Sequence, residues 1–343
     1  MAYSNIDKPN QYFDTATYAG SESSQDITSL NFQPDWVWIK NRTTTPSHQL
    51  TDVVRGVHNV IYSNLTNAEN QSSSQGVGAF LSNGFQVDGN IGGVNDGGSN
   101  FVAWNWLAGG TASSNTDGSI TSSVSANTTS GFSIVSYTGN GTGGATVGHG
   151  IDTPKMIIVK NRDDTDSWEI YHASLGETKY LQFTIAAAGT NTNRWNDTSP
   201  TSSVFSLGTE AGVNQSGENF IAYCFAEKKG FSKFGSFTGN GSTDGTFIYT
   251  GFKPAFFIHK KTNSTSNWYL YDNKRTPSNI VNKEIYVELS NGEASVDRLD
   301  FVSNGVKFRS STSSFNGSGD SYIYMAFAEN PLVGSNLVPN NAR

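Results

Sequence analysis

Short runs of apolar residues, interrupted by Gly, Pro, Asn and Ser, recur along the whole chain. Within each run, apolar and polar positions alternate or every position is apolar, which is typical of β-strands. Examples are FSIVSYTG, MIIVKN and FIAYCFAE in the middle of the chain, and AFFIHK, WYLYD and YIYMAFA near its end. About six or seven such runs occur per ~100 residues, which predicts an all-β protein built from β-sandwiches.

Two kinds of local signal qualify this pattern. SNGF (82–85) and SNGV (303–306) predict hairpin turns of type I′, since Asn-Gly readily takes positive φ angles. TDVVRGVHNVIYS (51–63) is the best candidate for a helix, but its Gly56 and its β-branched residues weaken that prediction.

Three segments share the same landmarks, and the strongest is a Pro followed six residues later by a Lys. These runs are residues 34–40, 154–160 and 254–260, which are offset by 120 and then 100 residues. The residues eight and twelve positions past each Lys also correspond: His48, Trp168 and Trp268, then Asp52, His172 and Asp272. Each copy closes on an aromatic strand, at 100–108, 219–227 and 321–329. We therefore predict three tandem β-sandwich, jelly-roll-like domains from an internal triplication.

The boundaries of these copies follow from composition. We predict a first domain at 1–110 with a polar N-terminal arm (Met1 to Tyr12), a Ser/Thr-rich linker at 111–130, a second domain at 131–230 and a third at 231–343. The second and third copies are joined directly, so we expect them to associate as a pair, with the first copy placed more independently. The arm is expected to gain order by docking on another protein.

Composition excludes several classes of protein. Among 343 residues, 22 are Lys or Arg and 29 are Asp or Glu, which gives a net charge of −7. The sequence also contains no long run of basic residues, so a general nucleic-acid-binding protein is excluded. Aromatic residues reach 12%, which argues against disorder, and charged residues only 15%, which argues against solvated helices. The single Cys224 excludes an internal disulfide framework. No apolar run approaches the ~18 residues that insertion into a membrane needs, and the polar N-terminus does not resemble a secretory signal.

Candidate chemistry is sparse. GNGTGG (139–144) matches a dinucleotide-binding pattern, but TVGHGID follows it where a helix is required, so we interpret it as a loop. RDDTDSW (162–168) could bind Ca²⁺, but a solvated hairpin tip explains it better, because the matching loops lack acidic residues. The five His residues show no metal-ligand spacing, and no nucleophile elbow occurs. We expect no catalytic, cofactor-binding or metal-binding residues, and hence a protein that is not an enzyme.

Aromatic residues offer the remaining binding chemistry. Trp36 and Trp38, like Trp104 and Trp106, lie two residues apart on predicted strands, so each pair points to one face and is expected to form core. Others lie near predicted loops, where a ring can stack on a sugar while nearby polar groups bind its hydroxyls. The tentative glycan-stacking residues are Trp168, Trp268 and Tyr271.

Several long motifs resemble a repeat family common in tailed bacteriophages, mainly marine ones. The motifs are DGSITSSVSANTTSGFSIVSYTGNG (117–141), MIIVKNRD (156–163), WEIYHASLGETKYL (168–181), VAWNWLAGG (102–110), AYCFAEKKGFSKFGSFTGNG (222–241) and YIYMAFAENP (322–331). The resemblance covers residues 12–343. Its members are virion proteins, often labelled tail fibre or structural protein, and the family supplies no catalytic residues to carry over.

The resemblance implies a virion structural protein exposed on the phage particle. The leading expectation is a tail fibre or receptor-binding protein that contacts host glycans or another host receptor. The alternatives are a capsid decoration or head-fibre protein that binds other capsid proteins, and a surface-glycan hydrolase, which would need two carboxylates in one cleft. Because linked sites raise avidity, we also expect a homo-oligomer, with a trimer favoured.

Overall fold

A computed structural model describes residues 4–71, 76–89 and 91–334, and it is all-β. The strands before the second copy are β1 (Phe13–Ala19), β2 (Gln25–Ile27), β3 (Trp36–Asn41), β4 (Gln49–Asp52), β5 (Asn59–Val60), β6 (Asn70–Gln71), β7 (Val77–Leu81), β8 (Gly84–Val87) and β9 (Asn100–Trp106). The middle of the chain forms β10 (Ser113–Asn115), β11 (Ser122–Asn127), β12 (Phe132–Thr138), β13 (Ala145–Gly148), β14 (Pro154–Asn161), β15 (Glu169–His172), β16 (Lys179–Tyr180), β17 (Gly189–Thr190), β18 (Val204–Leu207) and β19 (Asn219–Ala226). The remaining strands are β20 (Ser232–Thr238), β21 (Phe247–Tyr249), β22 (Phe252–Lys261), β23 (Trp268–Asp272), β24 (Val281–Tyr286), β25 (Ala294–Val302), β26 (Gly305–Phe308) and β27 (Ser321–Pro331).

Helices are short throughout the described residues. They are a 3₁₀-helix at Pro9–Gln11 and three α-helical turns, α1 (Thr192–Trp195), α2 (Ala211–Asn214) and α3 (Ser313–Asn316). The helix candidate at 51–63 is instead occupied by the end of β4, turns and β5.

Three antiparallel sheets have the same four-strand order. The orders are β1-β9-β3-β4, β12-β19-β14-β15 and β20-β27-β22-β23, and we call these the first, second and third sheets. In each one, the strand that carries the Pro-to-Lys run pairs with the aromatic closing strand. The three lysines hold the same register, since Lys40 pairs with Val102, Lys160 with Ile221 and Lys260 with Ile323.

The second and third sheets extend beyond this common order. Strands β10 and β11 extend the second sheet beyond β12, while the third sheet continues through β24, β25, β26 and β21. The prediction of a linker at 111–130 is therefore wrong for the residues of β10 and β11. Two β-branched residues inside this polar segment, Ile120 and Val124, are buried, and backbone pairing to β12 supplies the remaining hydrogen bonds.

The outer face of each central sheet is covered by smaller sheets of its own. The three-stranded sheet β2-β8-β7 covers the first sheet, the pair β13-β18 covers the second, and β25, β26 and β21 curl over the third. Two further strand pairs, β5-β6 and β16-β17, lie in the loops that follow β4 and β15.

The inner faces of all three sheets share one apolar core. Trp36, Trp38, Trp104 and Trp106 of the first sheet are all buried there, which confirms the prediction that these pairs form core. The second and third sheets contribute Ile134, Met156, Ile158, Tyr223, Phe225, Phe234, Phe256, Ile258, Met325 and Phe327. The expected pairing of the second and third copies, with the first set apart, is therefore wrong, because each sheet buries its inner face against both of the others.

The N-terminal arm also contributes to this core where the structure describes it. Ile6 is 3% exposed and lies in the shared cluster, while Tyr12 makes an edge-to-face contact with Phe231, the ring centroids being 6.0 Å apart. Residues 1–3 of the predicted arm lie outside the described residues. Residues 4–12 are therefore ordered within this chain, with Ile6 and Pro9 buried and Tyr12 half-buried. Docking of the arm on another protein stays a prediction.

Both predicted hairpins form, but not with type I′ turns. Leu81 pairs with Gly84 and Val302 pairs with Gly305, so the central residues of each turn are Ser-Asn. Among the described residues, neither of these Asn residues has a positive φ. The Gly is needed for a different reason: a Cβ atom would lie 1.7 Å from the Ile27 carbonyl oxygen at Gly84, and 2.0 Å from that of Ile248 at Gly305.

His259 is a buried polar residue in the outer core of the third sheet. It lies at the position that Val159 occupies in the second sheet, and it is fully buried. Its ring stacks on Tyr269 at 5.3 Å and lies 5.1 Å from the ring of Phe315. Neither ring nitrogen has a hydrogen-bond partner among the described residues. Burial, with a smaller contribution from Lys260, lowers the pKa of His259 to about 3.

Replacing this histidine should make the free energy of unfolding depend less on pH in the acidic range. Between the ordinary pKa of 6.5 and the folded pKa of about 3, the unfolded chain binds one more proton at His259 than the folded chain does. Stability therefore falls as the pH falls, by up to about 1.4 kcal/mol per pH unit. His259→Val removes this dependence. In urea unfolding from pH 4.5 to 8, the free energy of unfolding of the variant should therefore rise relative to that of the wild type as the pH falls below 6.5. Above pH 7 the difference should be constant, and a difference independent of pH throughout would contradict the assignment.

Candidate functional site

The three lysines that end the Pro-to-Lys runs are buried anchors for the loops that follow them. Lys40, Lys160 and Lys260 are each fully buried, and burial lowers the pKa of each to about 8. Each ammonium group donates to two backbone carbonyl oxygens. Those of Lys40 belong to Asn41 (2.7 Å) and Pro46 (3.1 Å), and those of Lys160 to Asn161 (2.5 Å) and Asp164 (3.3 Å). Those of Lys260 belong to Ile185 (3.0 Å) and Ser266. Each loop then leads into a strand that contacts a neighbouring sheet.

Eight residues past the lysines, two tryptophans donate across the boundary between sheets. Trp168 Nε1 of the second sheet donates to the Tyr62 carbonyl oxygen at 2.8 Å. Trp268 Nε1 of the third sheet donates to the Gln182 carbonyl oxygen at 2.9 Å. We call these boundaries the first–second and second–third seams.

His48 makes the corresponding contact at the third–first seam. Trp38 Nε1 donates to His48 Nδ1 at 2.9 Å, so Nε2 carries the proton and donates to the Tyr286 carbonyl oxygen at 2.9 Å. Burial, followed by the nearby Lys40, lowers the pKa of His48 well below its usual value. The three contacts run in the same rotational sense, so the sheets form a closed ring.

Twelve residues past the lysine, an ion network crosses the first–second seam. Asp52 Oδ2 accepts from the Tyr223 hydroxyl at 2.8 Å and from Arg55 Nε at 2.6 Å. Glu69 bridges Arg55 (2.9 Å) to Arg162 (2.8 Å) of the second sheet. Burial opposes the charge on Arg55, but these acidic neighbours outweigh it and raise the pKa of Arg55. In the same way, the arginines hold the pKa of Glu69 below its usual value despite burial.

The third–first seam repeats this network. Asp272 Oδ2 accepts from Trp104 Nε1 at 3.0 Å and from Arg275 Nε at 2.6 Å. Glu293 bridges Arg275 (3.1 Å) to Arg42 (2.9 Å) of the first sheet. The donor on the closing strand differs, Trp in place of Tyr, but the acceptor and the Arg–Glu–Arg bridge are the same.

The second–third seam keeps the backbone contacts but not the charges. The corresponding side chains are His172, Leu175, Ala188 and Thr262, and His172 Nε2 lies 3.2 Å from the Tyr324 carbonyl oxygen. Burial lowers the pKa of His172 to about 4. The Ala188 amide still donates to the Thr262 carbonyl oxygen at 2.9 Å, as the Glu69 and Glu293 amides do, both at 2.8 Å, at the other seams. A cleft of about 570 Å³ lies at this seam.

The three predicted glycan-stacking residues do not lie on a surface. Trp168, Trp268 and Tyr271 are 2%, 1% and 0% exposed. The two tryptophans fill the seams, and the Tyr271 hydroxyl donates to Glu284 Oε2 at 2.8 Å. The prediction is therefore wrong for all three. The two tryptophans are buried against the next sheet, and Tyr271 is buried in the outer core of the third sheet.

The other sequence candidates have local roles. GNGTGG (139–144) lies in the loop between β12 and β13. In RDDTDSW, Asp163 Oδ2 accepts from the Asn219 amide at 2.7 Å, and Asp166 Oδ2 from Asn161 Nδ2 at 2.9 Å. Within the described ranges, no group of three or more His, Cys, Asp or Glu residues is arranged to hold a metal ion. Burial raises the pKa of the Cys224 thiol, which favours its unreactive protonated form.

The arginines and glutamates of the seam networks were missed by sequence reasoning, which identified only Asp52 and Asp272 among their charged members. Their signal was present as further fixed offsets from the lysine. Arg42 and Arg162 lie two residues past it, and Arg55 and Arg275 lie fifteen past it. The acidic partners Glu69 and Glu293 lie in loops of unequal length, so no offset identifies them.

The chain belongs to the family described as Domain of unknown function (DUF7483), whose model matches residues 8–331. No curated protein and no solved structure matches it. Across the described residues, no helix combines the length and the apolar character needed to cross a membrane.

Breaking one network should cost more than replacing it. Arg55→Leu leaves the Asp52 carboxylate buried without its cation, which should lower the free energy of unfolding by about 3–5 kcal/mol. A variant that copies the second–third seam in full should recover most of this loss, because no buried charge is left unpaired. That variant is Asp52→His, Arg55→Leu, Glu69→Ala, Arg162→Thr and Tyr223→Met.

Chemical denaturation of both variants beside the wild type provides the measurement. A loss below about 1 kcal/mol for Arg55→Leu alone would show that the network contributes little to stability. If the variant with all five substitutions is no more stable than Arg55→Leu alone, the two kinds of seam are not interchangeable.

Proposed function

We propose, from its membership of this family and its resemblance to phage virion proteins, that the chain is a non-enzymatic structural protein of a tailed bacteriophage. In this role it is exposed on the virion as a tail fibre or receptor-binding protein that contacts the host surface through glycans. The observation that carries the proposal is the ring of three sheets tied by buried contacts. A rigid ring of this kind suits a particle component that must keep its shape while presenting loops to a partner.

We propose further that the ring arose by triplication of one β-sandwich, with domains at 1–110, 131–230 and 231–343. The identical strand order of the three sheets supports this, as do the equivalent registers of Lys40, Lys160 and Lys260. Each unit then contributes one face to its own outer core and the other to the shared core. Three such units approximate the arrangement that three separate chains form around a three-fold axis.

The same ring also favours a second candidate, a capsid decoration protein. An assembly with approximate three-fold symmetry fits over a three-fold position of a shell, where it would contact three copies of another virion protein. Both candidates place the chain on the virion surface, and they differ in the partner, a host glycan or a capsid protein.

Locating the chain on the particle separates these candidates. Antibody raised against the purified chain should label the tail of the virion by immunogold electron microscopy, and excess purified chain should reduce adsorption of the phage to its host. Labelling of the head together with unchanged adsorption would favour decoration. Absence of the chain from purified virions would overturn the proposal.

The expected homotrimer concerns a further level of assembly. Since one chain already supplies three similar units, a trimer of chains would raise avidity by linking several rings rather than by completing one. Light scattering on the isolated protein and on the complex released from virions measures this directly. A monomer in both samples would contradict the homotrimer.

A further inference from the structure

The cleft at the second–third seam lies where the other two seams hold charged side chains. At the first–second seam, Arg162 pairs with Glu69 across the seam, and its Nη1 lies 3.5 Å from Ser136 Oγ of its own sheet. The positions that correspond to Arg162 and Ser136 at the cleft are Thr262 and Ser236, and both line it. The space that a guanidinium occupies at one seam is therefore open at the other.

Hydroxyl groups dominate the polar lining of the cleft. Ser174, Ser236, Thr238, Thr262 and Ser321 line it, and Thr238 and Ser321 are a cross-strand pair. The side-chain hydroxyls of Ser236, Thr238 and Ser321 make no hydrogen bond to any residue that the structure describes. Their hydrogen-bonding capacity is free for a ligand.

The rest of the lining is apolar or neutral, with one exception. Leu175, Ala187 and Ala188 contribute apolar surface from the second sheet's loops, and Asn263 contributes an amide. Lys179 is the one charged residue among the described residues that line the cleft. The corresponding region of each other seam contains two arginines and a glutamate.

We propose that this cleft is a binding site for a neutral saccharide. Its volume, about 570 Å³, lies within the usual range of roughly 300–1,000 Å³ for small-molecule sites. A sugar offers hydroxyls to the serines and threonines, and its C–H faces can lie on the leucine and alanine side chains. This inference deepens the proposed function and rests on it for the source of the sugar, a host surface glycan.

The chemistry favours this ligand over charged ones. A strongly anionic ligand would find one lysine and no arginine along the described lining, and a basic peptide would find no carboxylate there. A purely apolar ligand would leave the free hydroxyls without partners, which is unfavourable in a closed contact.

Two variants test the site, and the second of them changes only exposed side chains. Thr262→Arg with Ala188→Glu rebuilds the Arg162–Glu69 pair in the cleft and should abolish sugar binding. Ser236→Ala with Thr238→Ala removes two exposed hydroxyls and should weaken binding by about tenfold, with an unchanged melting temperature. Thr17→Ala removes the corresponding exposed hydroxyl of the first sheet, away from the cleft, and should bind as the wild type does.

The probes are a printed array of neutral, sialylated and sulfated oligosaccharides, followed by calorimetric titration of the neutral sugar bound best. Neutral binding that both cleft variants reduce, and Thr17→Ala does not, supports the proposal. If the variant with Thr262→Arg and Ala188→Glu fails to fold, the variant with Ser236→Ala and Thr238→Ala decides alone. Binding that the cleft variants leave unchanged, binding of charged sugars only, or no binding at millimolar concentration would each overturn it.

Competition with phage adsorption keeps this test separate from that of the proposed function. If the chain binds no neutral sugar yet still reduces adsorption, the cleft assignment fails and the receptor-binding role stands. If the chain binds sugar in the cleft but is absent from virions, the site stands and the virion role fails.

Discussion

The whole structure depends on the shared apolar core at the centre of the three sheets. Each central sheet has two apolar faces, and its own small sheets cover only the outer one. The inner faces, rich in Trp and Phe, can be removed from water only by packing against one another. Trp36 stacks on Tyr223 of the second sheet at 4.1 Å, and Phe13 stacks on Phe327 of the third at 5.0 Å. None of the three sheets can therefore reach its observed burial alone.

The core brings the sheets together, and the polar contacts at the seams fix how they meet. An apolar face tolerates sliding, but a buried Asp that must meet a Tyr hydroxyl or a Trp N–H does not. Charged groups as deeply buried as Asp52 and Arg55 are costly to desolvate, so they are better explained as determinants of register than as sources of stability. The second–third seam reaches the same backbone register with an imidazole, a leucine and an alanine. Register there depends on the backbone contacts and on Trp268.

Sequence periodicity could predict the strands and their correspondence, since the Pro-to-Lys runs and the closing strands hold the same register in all three sheets. It could not predict what the strands pack against. Trp168 and Trp268 each lie next to a loop of their own sheet, and only the neighbouring sheet buries them. The segment at 111–130 seemed too polar to fold, but backbone pairing to β12 requires few apolar side chains. The hairpins at 82–85 and 303–306 form, but the turn type predicted for them was wrong. Their glycines allow the backbone to lie close to another strand.

A ring built from one chain has a freedom that a ring of identical chains lacks. In a homotrimer every substitution appears at all three interfaces, so any opening would weaken the whole assembly three times. Within one chain, the positions of Leu175, Ala188 and Thr262 can differ from their counterparts while Arg55, Glu69 and Arg162 still close the first–second seam and Arg275, Glu293 and Arg42 the third–first. Two seams then hold the ring shut, and the third can lack these charges and contain a cleft without the sheets separating. Differences between the seams thus allow one interface to have its own chemistry while the shared core stays intact.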